Sequence, residues 1–171
     1  MAILEILTYP DKFLKQPAKP VTTVDDDIRK LIEDMAETMY VAPGVGLAAT
    51  QVGSDKSVIV YDPKADKECG AYEALINPKI ISSEGETFSE NEGCLSVPDY
   101  RSDVKRSAII VVEGLDRHGN PVKFEAMEYL SIILQHEIDH LNGILFIDRI
   151  SALKREIYKR KVKKQLKQDE P

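Results

Sequence analysis

The sequence predicts a chain of both helices and strands, the α+β class, on three observations. Residues 25–39 open on three aspartates and continue with apolar residues at helical spacing. Residues 57–124 hold short β-branched segments broken by Asn, Asp, Gly and Pro. Residues 128–141 are an apolar stretch without Gly or Pro, and they carry two of the three histidines four residues apart. Apolar recurrence every three to four residues marks a helix with one buried face, and β-branched runs between turn residues mark strands.

In chain order, residues 1–23 read as extended or loop-like, because Tyr9-Pro10-Asp11, Gln16-Pro17 and Lys19-Pro20 break any regular pattern. Asp25-Asp26-Asp27 then place acids at the positive end of a helix dipole. Ile28, Leu31, Ile32, Met35 and Met39 give that helix a core-facing side, with the methionines as core filler. Val41-Ala42-Pro43-Gly44 ends it. The stretch Gly44-Val45-Gly46-Leu47-Ala48-Ala49 fits the dinucleotide fingerprint, but a helix precedes it where a strand should, and that reading is rejected. The glycines instead let the backbone pass close to another group. Gln51 just beyond offers an amide with two donors.

Ser57 to Tyr61 is a strand ended by Asp62-Pro63. Ala74-Leu75-Ile76 and Lys79-Ile80-Ile81 are expected as two short strands around Asn77-Pro78, and Gly85 to Ser89 as another. Ala108 to Val112 is the strongest strand signal. Leu115 and Val122 to Phe124 flank Asp116-Arg117-His118-Gly119-Asn120-Pro121, a hairpin-type turn that leaves His118 exposed. Gly93 and Pro98 argue that Asn91 to Pro98, which carries Cys94, is a loop or strand end.

The helix over 128–141 contains Gln135-His136-Glu137-Ile138-Asp139-His140. Positions i and i+4 share a helix face, so His136 and His140 can reach one metal ion. Glu137 sits one step round and can act as general base toward a bound water, the H-E-x-x-H arrangement. Leu130, Ile132, Ile133, Leu134, Ile138 and Leu141 make the helix apolar around most of its circumference and therefore buried. Tyr129, Ile132 and Ile133 share the histidine face, so the metal would lie beside an apolar surface. A third ligand is needed. No histidine follows His140, and the nearest downstream glutamate, Glu156, lies in a basic tail, so Cys94 is the better candidate. One thiolate and two imidazoles leave the fourth tetrahedral position open, as catalysis requires.

The 171 residues suit one domain with a proper core. No apolar run is long enough to span a bilayer, and the start lacks the basic region and cleavage site of a signal peptide. Two cysteines, Cys69 and Cys94, make no disulfide framework, and the reduced cytoplasm is the expected location. The net charge of −6 is uneven: Lys154 to Lys167 holds eight basic residues and one acid. This stretch belongs to a final helix from about Ser151, with Leu153, Ile157 and Leu166 as a thin apolar stripe. Such a tail suits an anionic partner, RNA or a nucleoprotein surface. The expected division is a catalytic unit over 1–150 and a basic helical extension over 151–171.

Three blocks now stand in order: Gly44-x-Gly46-Leu47-Ala48-Ala49-x-Gln51, Glu92-Gly93-Cys94-Leu95-Ser96, and Gln135-His136-Glu137-x-Asp139-His140. With the early Pro17 to Val21 segment, they make essentially the whole chain resemble bacterial peptide deformylases. The resemblance implies an α+β fold with antiparallel sheets packed around the H-E-x-x-H helix, followed by a C-terminal helix. It implies removal of the formyl group from N-formylmethionine of nascent peptides. It also implies one Fe(II) per chain, replaceable by zinc, nickel or cobalt, held by Cys94, His136 and His140. Glu137 would be the acid/base, with Gln51 and the Leu95 N–H facing the oxyanion. Val45, Gly46, Tyr129, Ile132 and Ile133 are the expected substrate pocket, and Glu92 or Arg101 would position the peptide or the ligands. The basic helix is similar to one that docks relatives near the ribosomal exit tunnel; neither membrane nor DNA is an expected partner.

Two rival readings remain at this point. A metallopeptidase shares the His-Glu-His core but normally takes His or Glu as third ligand. A closed structural site with Cys69 as fourth ligand would make the chain a ribosome-binding module without catalysis.

Overall fold

Asp25 caps the first helix: its Oδ1 accepts the backbone N–H of Ile28 at 3.0 Å, and Asp26 and Asp27 follow in the first turn. In the computed structural model, which describes residues 2–65 and 71–170, this helix is α1, Asp26–Val41. The strands follow in chain order: β1 Gly46–Ala48, β2 Val58–Tyr61, β3 Glu73–Glu84, β4 Thr87–Cys94, β5 Val97–Arg106, β6 Ile109–Leu115 and β7 Pro121–Met127. The helix α2, Glu128–Leu141, has the bounds expected from its pattern, and α3, Ala152–Asp169, ends the chain. Short 3-10 turns lie at Lys12–Lys15, Ala49–Val52 and Phe146–Arg149.

All pairings among these strands are antiparallel. Five strands form one sheet in the order β1-β2-β3-β6-β7, and β4 and β5 form a second. The period-two alternation of β2 explains the layering. Val58 and Val60 join Ile28, Ile32, Met35 and Met39 of α1 in one core cluster. Ile59 and Tyr61 join Ile133, Leu134, Ile138 and Leu141 of α2 in another. One helix thus covers each face, so β2 reads as continuously apolar rather than alternating. A third cluster sits under the β4–β5 sheet and includes Leu14, Val97, Val104, Phe146 and Tyr158. The α+β expectation holds, with α2 packed against β1, β2 and β7.

Two expectations need correction. The segments around Asn77-Pro78 are one strand, β3, whose register against β6 shifts between Ile76 and Lys79. Asn77 absorbs the irregularity at φ +52°, a region asparagine tolerates. Its side chain bonds both the N–H and the carbonyl of Val21, at 2.8 and 2.9 Å. The strand expected over Gly85 to Ser89 begins only at Thr87 and runs on to Cys94, because Gly85 occupies a turn at φ +70°. In α3, Leu153, Ile157 and Leu166 are 72 %, 59 % and 48 % exposed. Tyr158 and Val162 face the body instead. Tyr158 is buried against Tyr9 and Tyr100, with ring centroids at 5.7 and 4.7 Å. A large ring with two aromatic neighbours outweighs the three aliphatic side chains in setting the helix rotation.

α2 is buried along most of its length, but Tyr129 in its first turn is exposed. Gln135, a buried polar residue of α2, is held at both ends of its amide. Gln135 accepts the backbone N–H of Ser107 and donates to the Ser107 carbonyl, both at 2.9 Å. The helix stops at Asn142-Gly143, where Gly143 takes φ +74° and its Cα lies so close to the Lys15 carbonyl that a Cβ would collide with it. Among the described residues no helix is long and apolar enough to cross a membrane.

Candidate metal centre and substrate cleft

Cys94 ends β4, and His136 and His140 lie one turn apart on α2. The hairpin of β4 and β5 sets the sulfur over the histidine face. One ligand atom from each of the three lies within 4.8 Å of the others. The Cys94 Sγ to His140 Nε2 distance is 3.2 Å. Bond lengths of about 2.3 Å to sulfur and about 2.0–2.1 Å to nitrogen in a tetrahedral site place such atoms about 3.5 Å apart, so the spacing fits one cation. The His136 ring is oriented by its other nitrogen: Nδ1 lies 2.6 Å from Glu92 Oε1, which leaves Nε2 facing the sulfur side. A carboxylate on the far nitrogen is the common support of a metal-binding imidazole.

The electrostatics agree with a cation site. Burial pulls the His140 imidazole well below its ordinary range, helped by His136 and Arg106, so the ring is neutral and could serve as a ligand. Burial also lowers His136, but the Cys94 sulfur and Glu92 outweigh it and hold the ring well above its usual value. In the protein alone this cluster therefore attracts a proton where a cation would sit. Burial raises Glu92, yet hydrogen bonds from His136 and Arg106 overcome it and bring the carboxylate down to about 2.

Glu137 points to the same place. Its Oε1 is 3.9 Å from His136 Nε2, and Oε2 is buried without a hydrogen-bond partner among the described residues. Burial, with Glu92 nearby, pushes its carboxyl up to about 7. A group poised there exchanges protons near neutrality. Gly46 makes this possible: a Cβ at that position would lie 2.7 Å from Glu137 Oε1.

Gln51 is buried, not a surface residue, in the 3-10 turn after β1. Its Oε1 accepts the Ala48 N–H at 2.9 Å, which turns Nε2 toward Ser96 Oγ at 3.0 Å and Cys94 Sγ at 3.7 Å. Ser96, for which the sequence suggested no role, also directs its backbone N–H at the sulfur, 3.4 Å away. Leu95 lies between Cys94 and Ser96 in the turn joining β4 to β5.

These groups lie in or beside a cleft of about 670 Å³. Its walls include every residue expected to bind substrate: Val45, Gly46, Glu92, Arg101, Tyr129, Ile132 and Ile133. Their positions differ in kind. Ile133 is buried, Tyr129 sits at the rim, and Arg101 is exposed with its guanidinium on the Asn91 carbonyl at 3.3 Å. The Glu92 carboxylate is taken up by His136 and Arg106, so it acts on the ligand side of the site. His118 is exposed in the β6–β7 turn and stands apart from the cluster, as expected. Cys69 lies outside the described residues.

Arg106 was not anticipated. Its guanidinium is buried and meets both Glu92 and Asp139. The signal was present: alternation along β5 puts Arg106 on the same inward face as Ser102 and Val104.

A buried His-Glu-His helix with a cysteine converging on it, set among antiparallel sheets, defines a metal-dependent hydrolase of the α+β class. The sequence profile of the polypeptide deformylase family matches residues 3–156, and the chain belongs to that family. It is 52 % identical over 168 residues to a peptide deformylase of Desulfosudis oleivorans, covering 98 % of this chain and 97 % of the relative. It is 53 % identical over 168 residues to one from Syntrophobacter fumaroxidans, covering 98 % of each. The crystal structure of a peptide deformylase from Legionella pneumophila matches with a TM-score of 0.88 at 45 % identity, over 99 % of this chain and 100 % of that one. The Ehrlichia chaffeensis peptide deformylase, solved in complex with actinonin, matches with a TM-score of 0.89 at 42 % identity, over 96 % and 98 %.

Proposed function

We propose that this chain hydrolyses the formyl group from N-formylmethionine at the start of newly made polypeptides, releasing formate. The observation that carries this reading is the convergence of Cys94, His136 and His140 beside Glu137, whose Oε2 has no hydrogen-bond partner among the described residues, in an open cleft. Cys94, His136 and His140 would hold one metal ion. The family resemblance favours Fe(II), with zinc, nickel or cobalt as substitutes, and a thiolate with two imidazoles suits each of them. A cation held there would bring the pKa of a water from about 15.7 to about 7 and polarise the formyl carbonyl.

The chain's own groups supply the remaining chemistry. Glu137 takes the proton of the attacking water and later passes it to the leaving amine. The Gln51 Nε2 and the Leu95 backbone N–H donate to the oxygen that gains charge as the formyl carbon becomes tetrahedral. Gln51→Leu is expected to lower kcat/KM for a formyl-Met peptide by about 2.7–4 kcal/mol of barrier with little change in KM, read as formate release. An unchanged rate would remove Gln51 from the oxyanion site.

Substrate binding follows from the sheet edges. Among the described residues β1 lies at one edge of its sheet and β4 pairs only with β5, and segments of both border the cleft. An extended peptide can add itself to such edges through main-chain hydrogen bonds. Val45, Tyr129, Ile132 and Ile133 would then receive the unbranched methionine side chain, and Arg101 at the rim would meet later residues. The reading is tested by offering a formylated and an unformylated Met peptide. Formate from the first and no cleavage of the second is expected; peptide-bond cleavage in either would favour a metallopeptidase.

The exposed basic residues of α3 would dock the chain on the ribosome near the exit tunnel, placing it beside emerging chains. A form ending at residue 163 and carrying Arg160→Gln, Lys161→Gln and Lys163→Gln keeps Tyr158 and Val162 against the body and removes five of the eight basic residues between Lys154 and Lys167. The full chain is expected to pellet with ribosomes at low salt and to dissociate at high salt, with the shortened form remaining in the supernatant. Equal pelleting of both would exclude docking through this tail. A cytoplasmic location fits a site built on a reduced thiol.

A further inference from the structure

We propose that Arg106 is a positioning residue: its buried guanidinium fixes the strand that carries Cys94 against the helix that carries His136 and His140. The inference rests on the ligand assignment above and adds a group that touches none of the ligands. Arg106 ends β5 with its side chain 2 % exposed. Its Nε and one terminal nitrogen donate to Glu92 at 3.3 and 2.5 Å. The other terminal nitrogen donates to Asp139 Oδ2 at 2.7 Å.

The two carboxylates lie where a clamp would be most effective. Glu92 precedes Cys94 by two residues on β4, and Asp139 directly precedes His140 on α2. Each is also fixed from its other side. Glu92 holds the His136 ring, while Asp139 receives the Arg149 guanidinium at 2.6 and 2.7 Å. A planar fork with five donors can span two carboxylates at once, whereas a lysine ammonium is a point charge that cannot hold both in fixed directions. The separation of sulfur and ring nitrogens is therefore set by the protein before any cation arrives.

The test uses the full chain loaded with Co(II), whose visible and thiolate charge-transfer bands report the ligand geometry. The parent and two variants, Arg106→Lys and Asp139→Asn, are compared for band shape, cobalt loss to excess chelator, and kcat and KM on a formyl-Met peptide. Arg106→Lys is expected to shift the bands and to lose cobalt about 10- to 100-fold faster, the range seen when partners of metal ligands are altered. Its kcat should fall while KM stays near the parent's, because the cleft walls are untouched. Asp139→Asn keeps the shape of the side chain and contacts neither imidazole ring nor sulfur, yet should change bands and release in the same direction. If Arg106→Lys fails to fold, Asp139→Asn alone decides. Parent-like bands and release in a folded variant overturn the clamp while leaving the ligands in place. A parent that takes up no cobalt, or shows no thiolate band, overturns the ligand assignment itself.

Discussion

Replacing Glu137 by Gln is expected to leave one metal ion per chain in place while formate release falls by about 10²- to 10⁴-fold. The amide keeps the shape of the side chain beside Gly46 but can neither accept nor return a proton. The same substitution has an opposite effect on the metal-free protein. The carboxyl is raised from 4.5 to about 7 by burial. Between those values the unfolded chain is ionised and the folded one is not, so stability falls as pH rises from about 4.5 to about 7 and stays lowered above it. The difference amounts to roughly 3 kcal/mol. Metal-free Glu137→Gln should therefore melt above the metal-free parent at pH 8, with the gap closing by pH 4. Measuring metal content, formate release and the two melting curves separates a catalytic carboxylate from a structural one. Loss of metal on substitution, or a gap that persists at pH 4, would contradict the role given to Glu137.

The second large effect concerns the sulfur. Cys94→Ser removes the softest donor and is expected to abolish both metal retention and turnover. Cys69→Ser is expected to retain both. A closed structural site would reverse the second result, because Cys69 would then be the fourth ligand and its loss would release the metal. Elemental analysis of the purified variants, with formate release on the same samples, distinguishes the two.

Much of this arrangement could be read from the residues. The bounds of α2 followed from an uninterrupted apolar run ending at Asn142-Gly143, and the start of α1 from its aspartates, because both depend on neighbours in sequence. The three blocks that converge on the cleft were legible as blocks, but what holds them together was less so. Arg106 looks like a surface residue until β5 is placed in register, which turns it inward with Val104. Asn77 looks like a break between strands because the Val21 backbone that satisfies it is 56 residues away. The rotation of α3 was not legible for a similar reason: Tyr9 and Tyr100, which draw Tyr158 inward, lie 149 and 58 residues before it in the chain. Gln51 is a lone amide in the sequence, and the Ala48 and Ser96 contacts that explain its burial appear only in the fold. Long-range polar partners were the common missing information, since hydrophobic period records burial but not which buried group answers another.

The central claim is that one sulfur and two imidazole nitrogens share a cation whose remaining position is open to solvent. X-ray absorption at the metal edge of the loaded protein measures this directly. The expected result is one sulfur at about 2.3 Å, two imidazole nitrogens at about 2.0–2.1 Å, and an oxygen that exchanges when a hydroxamate inhibitor is added. A second sulfur, a third imidazole, or a shell indifferent to the inhibitor would contradict it.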